Sequence, residues 1–90
     1  VRNFPITPEV QIRRTEKPGQ CLLSIIAADR PGLLYTVAST LDAHDINVHT
    51  AKIATLGERV EDTFLVSGAE LAKTATLLRL KSELLEKLQV

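Results

Sequence analysis

From Cys21 to Ala28 the chain is almost unbroken apolar sequence, rich in leucine and isoleucine, and it stops at Asp29-Arg30-Pro31-Gly32. Such a run fits a central strand buried against helices and neighbouring strands, and a central strand needs a partner on each edge. After the turn the period changes. Leu34, Val37, Ala38 and Leu41 fall on one face of a helix that runs to about Ala43 or His44. Asp29 is the expected cap of this helix, and Pro31 belongs in its first turn, where a missing N–H costs nothing.

The flanking sequence supplies the partners. Val1 to Pro8 carry two prolines and no periodicity, which suits a linker from something upstream, so the folded unit is expected over residues 9–90. Val10, Ile12 and Arg14 alternate with Gln11 and Arg13 as a half-exposed strand does, and Glu16-Lys17-Pro18-Gly19 supplies turn chemistry for a hairpin. Beyond the helix, Ile46 and Val48 open an extended run to Ile53, in which the apolar phase slips as a bulge would make it slip. Leu56-Gly57-Glu58 then turns the chain. Val60, Phe64 and Val66 share one face of the next strand while Glu61, Thr63 and Leu65 share the other, and Ser67-Gly68 ends it. Leu77, Leu80, Leu84 and Leu88 recur at spacings of three and four and form the buried stripe of a closing helix, with Thr74 as a possible cap.

The resulting order is ββαββα. Two helices can cover only one face of a four-stranded antiparallel sheet, so the fold class is α+β and the other face is left to solvent or another subunit. Right-handed crossovers place the Cys21 strand beside the Arg59 to Ser67 strand, with the first strand and the Ile46 strand on the outer edges. This is a ferredoxin-like layout with its last strand moved to the front.

Composition removes several function classes. Eleven basic residues balance eleven acidic ones, so the one-sided field of a nucleic-acid or anionic-membrane binder is missing. Phe4, Tyr35 and Phe64 are the only aromatics, too few for a base-stacking platform. No apolar run approaches the roughly 20 residues that span a bilayer. Cys21 is the only cysteine, so no internal disulfide or thiolate zinc cluster can form; it reads as a small core residue from a reducing compartment. A cytoplasmic domain is expected, with no cofactor of its own.

The turn is the strongest candidate for chemistry. Gly32 lets a ligand approach the backbone, the free N–H groups of the helix start favour a carboxylate, and Asp29 suits an ammonium. Asn47 opens the following strand and offers both donor and acceptor to an amino-acid head group or an amide. Each also has a plainer role: Pro, Gly and Asp occur at many helix starts that bind nothing, and Asn47 suits a bend before a strand. His44 and His49 have no third ligand and no serine or cysteine to activate, so neither metal nor catalytic residues are expected. Arg59, Glu61 and Asp62 read as a mixed-charge patch on a solvated strand face or at a subunit contact.

Asp29-Arg30-Pro31-Gly32-Leu33-Leu34 directly after an apolar strand, followed by Asp45-Ile46-Asn47-Val48, resembles the signature of ACT domains over roughly Gln20 to Ser67. Adding Tyr35 and the string from Asn47 to Asp62, the chain is most similar to the carboxy-terminal ACT domains of bacterial PII uridylyltransferase/uridylyl-removing enzymes. The Phe4-Pro5 stretch and the Val10-Gln11-Ile12 strand are similar to the same family. That resemblance implies a regulatory domain that senses glutamine and controls nitrogen-status signalling through uridylylation of the PII protein. It implies ligand contacts at Asp29, Arg30, Pro31, Gly32, Leu33 and Asn47, and a second ACT domain, in cis or in trans, that completes the pocket. Nucleotidyltransferase and hydrolase modules using Mg2+ and UTP would lie upstream. A different reading makes the chain a docking or dimerisation domain with no effector of its own, using a sheet edge or face. Acylphosphatase-like chemistry on the same layout has no phosphate-cradling loop with a paired arginine to support it.

Overall fold

The apolar run folds as the expected inner strand. In a computed structural model, which describes residues 5–89, β2 (Gln20–Ala28) lies between β1 (Glu9–Arg14) and β4 (Arg59–Ser67), and β3 (Asn47–Leu56) pairs with the far side of β4. The sheet order is therefore β1-β2-β4-β3, and every pairing is antiparallel. Of the stretch read as a linker and of the Phe4-Pro5 pair, Val1 to Phe4 lie outside the described residues, as does Val90.

Burial explains why β2 looks continuous in sequence. Cys21, Leu23, Ile25 and Ala27 are buried against the helices, while Leu22, Ser24, Ile26 and Ala28 are half-buried on the other face. The helices α1 (Leu33–Ala43) and α2 (Thr74–Leu88) meet that inner face with Leu33, Val37 and Leu41 and with Leu80, Leu84 and Leu88. One apolar cluster joins these to Val10, Val60, Phe64 and Val66 of the sheet. The thiol of Cys21 is pushed up by burial, which Arg14 only partly offsets, so it is an inert core group.

Two helix starts depart from expectation. Leu33 is the first helical residue of α1, and Gly32 stands at its N-cap with φ 80° and no side-chain cap bond, so Asp29, three residues earlier, caps nothing. Lys73, not Thr74, precedes α2, and the Thr74 hydroxyl instead accepts from Arg14 at 3.0 Å. A one-turn 3₁₀ helix, Ala69–Ala72, which links β4 to α2 and which the sequence pattern had not signalled, buries Leu71.

The end of α1 is built as a Schellman motif. The Ile46 N–H donates to the Leu41 carbonyl at 3.0 Å and the Asp45 N–H to that of Asp42 at 3.0 Å, while Asp45 takes the left-handed conformation at φ 56°. Ile46, buried, supplies the apolar contact that accompanies such an ending. The chain then enters β3, whose register shifts between Val48 and Thr50 so that His49 is the bulged residue, where the apolar phase had slipped. β3 is exposed along almost its whole length, with Val48, Ile53 and Leu56 among its uncovered large side chains.

Candidate functional site

The turn after β2 is tied down at both ends. The Asp29 N–H donates to the Glu58 carbonyl at 2.7 Å, extending the ladder one step past Ala28. The Arg30 carbonyl accepts from the Leu33 N–H at 3.3 Å, and the Arg30 guanidinium reaches across to the carbonyl of Lys87 at 2.7 Å. A cation at the carbonyl end of a helix is favourably placed, so this contact fixes the turn to the last turn of α2. The Gly32 carbonyl accepts the first helical bond from Thr36 at 2.9 Å, and the N–H groups of Leu34 and Tyr35, as in any first turn, have no intrahelical acceptor.

Beside this turn lies a cleft of about 240 Å³. One wall is Asp29, Arg30, Gly32 and Leu33 with the first side chains of α1, Leu34 and Tyr35. The other is Ile53 and Thr55 of β3, and Val60 and Asp62 of β4 form its floor. It exists because α1 covers β2 and β4 but stops short of the edge strand, leaving Ile53 and Leu34 half-uncovered on either side. Its volume falls below the roughly 300–1,000 Å³ typical of drug-sized ligands, which suits a single small metabolite.

Asp62 is the residue that sequence reasoning misplaced. It is 2% exposed, on the core face of β4 opposite Ile25 and Ile53, and not on a solvated strand face. Only Arg59 and Glu61 form the anticipated surface pair, at 3.0 Å. The signal was there: Asp62 has the same parity along the strand as Val60, Phe64 and Val66. Its carboxylate accepts a 3.3 Å bond from the Ala54 N–H. Burial raises its pKa above the ordinary aspartate value, the Ala54 bond opposes this, and the nearby Asp29 charge adds to the rise.

Of the residues singled out in sequence, Asp29, Arg30, Gly32 and Leu33 line one cleft, and Pro31 sits within the same turn. Asn47 does not join them. It pairs with Ser67 at the start of β3, whereas the cleft lies at the other end, where Leu56 pairs with Arg59. Ten residues of strand put about 30 Å between the two ends. Within one chain Asn47 is therefore remote from the cleft, because β3 starts at the Ser67 end of β4 and reaches the turn only at its last residues.

The histidines are committed elsewhere. His49 Nε2 lies 2.6 Å from Ser67 Oγ at the exposed bulge. His44 Nε2 lies 2.8 Å from Glu83 Oε1, joining α1 to α2, and Lys87 bridges Glu83 Oε2 at 2.9 Å and the Thr40 hydroxyl at 3.1 Å. The His44 and Lys87 hydrogen bonds hold the Glu83 carboxyl below the usual range. Among the described residues no three His, Cys, Asp or Glu side chains group as a metal site would require.

A four-stranded antiparallel sheet with two helices on one face, and a strand–turn–helix corner facing an edge strand, define an ACT-type module. The ACT domain family model matches residues 22–79, and the chain belongs to this family. The bifunctional uridylyltransferase/uridylyl-removing enzyme of Aromatoleum aromaticum (strain DSM 19018 / LMG 30748 / EbN1) is 52% identical over 90 residues, the whole of this chain and 10% of that protein. The proteins of the same description from Ralstonia nicotianae (strain ATCC BAA-1114 / GMI1000) and Burkholderia orbicola (strain MC0-3) are 52% and 51% identical, each over 99% of this chain and 10% of their own length. The chain thus spans about a tenth of the length of the curated relatives it matches. No solved structure gives a significant match. No helix among the described residues is long and apolar enough to cross a membrane.

Proposed function

We propose that this chain is the effector-sensing ACT domain of a cytoplasmic bifunctional uridylyltransferase/uridylyl-removing enzyme, and that its effector is a free amino acid, glutamine in the first place. The observation that carries the reading is the cleft itself. A glycine with an open approach, a helix start with unmet N–H groups and two carboxylates meet in a space of about 240 Å³. A zwitterion matches that chemistry, its carboxylate at the helix start and its ammonium at the acidic side. Glutamine is the effector that the sequence resemblance implies, as a signal of nitrogen status passed on through uridylylation of PII. Catalysis, with Mg2+ and UTP, would belong to other parts of that enzyme.

Pairing with a second ACT domain extends the same reading. β3 is an exposed edge with unpaired backbone groups, and such edges pair readily. Antiparallel pairing of two β3 strands would bring Asn47 of one copy to the Leu56 end of the other, next to the cleft. Asn47 would then serve its neighbour's site. Docking without sensing draws support from the same exposed edge, through Val48, Ile53 and Leu56.

Calorimetric titration of the full-length protein with glutamine and with other amino acids tests the proposal. Saturable heat with glutamine, lost when Gly32 is replaced by valine, is the expected result. No heat with any amino acid would leave docking as the better reading.

A further inference from the structure

A carboxylate on the inner face of a central strand calls for an explanation. The other inner-face positions of β4 are Val60, Phe64 and Val66, and an apolar residue at position 62 would continue that surface. Asp62 instead carries a group that is costly to bury unless it is paired and fully hydrogen-bonded. It has neither satisfaction: one long bond from Ala54 engages Oδ1, and among the described residues no cation or donor meets the second oxygen. The nearby arginines are engaged elsewhere, Arg30 with the Lys87 carbonyl and Arg59 with Glu61 on the opposite face of the sheet. The side chain is 98% buried yet lines the cleft, so it meets solvent only through that opening. Asp29 stands at the rim of the same space, close enough to act on it electrostatically.

We propose that Asp62 is the specificity-determining acceptor of this cleft, holding the cationic ammonium group of its ligand from below while Asp29 holds it from the rim. The assignment rests on reading the cleft as an effector site. It narrows the ligand to primary amines and excludes 2-oxo acids and N-acylated amino acids of the same side chain. The arriving ammonium supplies the counter-charge that the fold withholds, which is why the group stays buried without one of its own. A residue retained for binding at the expense of the free fold should be replaceable with a gain in stability. A structural carboxylate would not be.

The experiment uses the full-length protein, its Asp62→Asn and Asp29→Asn variants, and two probes, glutamine and N-acetylglutamine. Binding is measured by calorimetry and folding of this domain by thermal unfolding. Asparagine keeps an acceptor for the Ala54 N–H, removes the charge and puts an amide donor in place of the second oxygen. Expected are glutamine binding by the unaltered protein, N-acetylglutamine binding weaker by about a hundredfold, and a loss of about a hundredfold for glutamine in D62N, as befits removal of one partner of a buried charge pair. The loss in D29N is smaller because that carboxylate is exposed. The D62N unfolding midpoint is equal to or above that of the unaltered protein. Glutamine bound equally by D62N, or N-acetylglutamine bound as tightly as glutamine, overturns the role of Asp62 and leaves the effector site standing. A D62N midpoint several degrees lower overturns it in favour of a structural carboxylate. Glutamine and the other common amino acids all failing to bind the unaltered protein overturns both readings together.

Discussion

The guanidinium of Arg30 donates to the main-chain carbonyl of Lys87 over 2.7 Å, so the turn that walls the cleft is fastened to the last turn of α2, 57 residues away in sequence. Lys87 itself bridges Glu83 and Thr40, and Glu83 meets His44. The cleft thereby shares one polar network with the seam between the two helices. Whatever reorders the turn also acts on the C-terminal end of α2.

Replacing Arg30 with alanine removes this fastening without opening the core. The expected cost is about 1 kcal/mol of unfolding free energy, the size of one hydrogen bond to a charged group partly exposed to water. Faster amide exchange should be confined to residues 29–33 and the last turn of α2. Denaturant titration with hydrogen-exchange mass spectrometry checks both, and loss of protection spread evenly over the sheet would show that Arg30 does something other than hold the turn.

Glu83 and Asp62 give the domain opposite responses to acid. Contacts with His44 and Lys87 hold the Glu83 carboxyl below its ordinary 4.5, so its contribution to stability is present above that value and disappears as pH falls through the lower folded one. Asp62 is raised above its ordinary 3.8, so the folded chain takes up this proton before the unfolded chain does. Stability therefore rises as pH falls through the raised value towards 3.8, and the penalty is greatest above it. The charged and titratable groups around that cleft are Asp29, Arg30 and Tyr35. In urea unfolding followed across pH 3–7, D62N should remove the rise and E83Q the final fall.

Much of this was legible. The apolar run with its turn, the two hairpins and the leucine stripe at three- and four-residue spacing are local signals, and the crossover rule then leaves one sheet order. What escaped depends on competition between local and tertiary effects. Asp29 looks like a cap, but Gly32 takes the capping position in a left-handed conformation and the helix starts later. Asp62 carries a charge, and charge outweighed its parity among Val60, Phe64 and Val66 until the fold showed it as the floor of a cleft. Asn47 follows α1 closely in sequence, but a ten-residue antiparallel strand separates it from the cleft in space.

The end of α1 was hard to read because Asp45 occupies the left-handed position that glycine fills in most Schellman endings. An L-residue is strained there, and a carboxylate also stands at the unfavourable end of the helix dipole. Asp45→Gly relieves both but loosens the unfolded chain, so the net gain should be a few tenths to about 1 kcal/mol. A shift of the denaturation midpoint to higher urea with an unchanged slope would record it.

Gly32 separates sensing from docking. Its φ of 80° strains any side chain, yet a β-carbon there meets no atom within 4 Å, and Gly32 itself lines the cleft. Gly32→Val should cost about 1–2 kcal/mol from backbone strain, leaving the core of Leu23, Leu41, Leu80 and Leu84 intact. Circular dichroism should be unchanged at 25 °C, with a lower unfolding midpoint. Because Gly32 lines the cleft beside Leu34 and Tyr35, the proposed amino-acid binding should be lost while the proposed pairing through β3, on the other side of the cleft, persists. Sedimentation and calorimetry on the same sample read the two effects separately, and retained binding in this variant would mean that the turn does not form the ligand's wall.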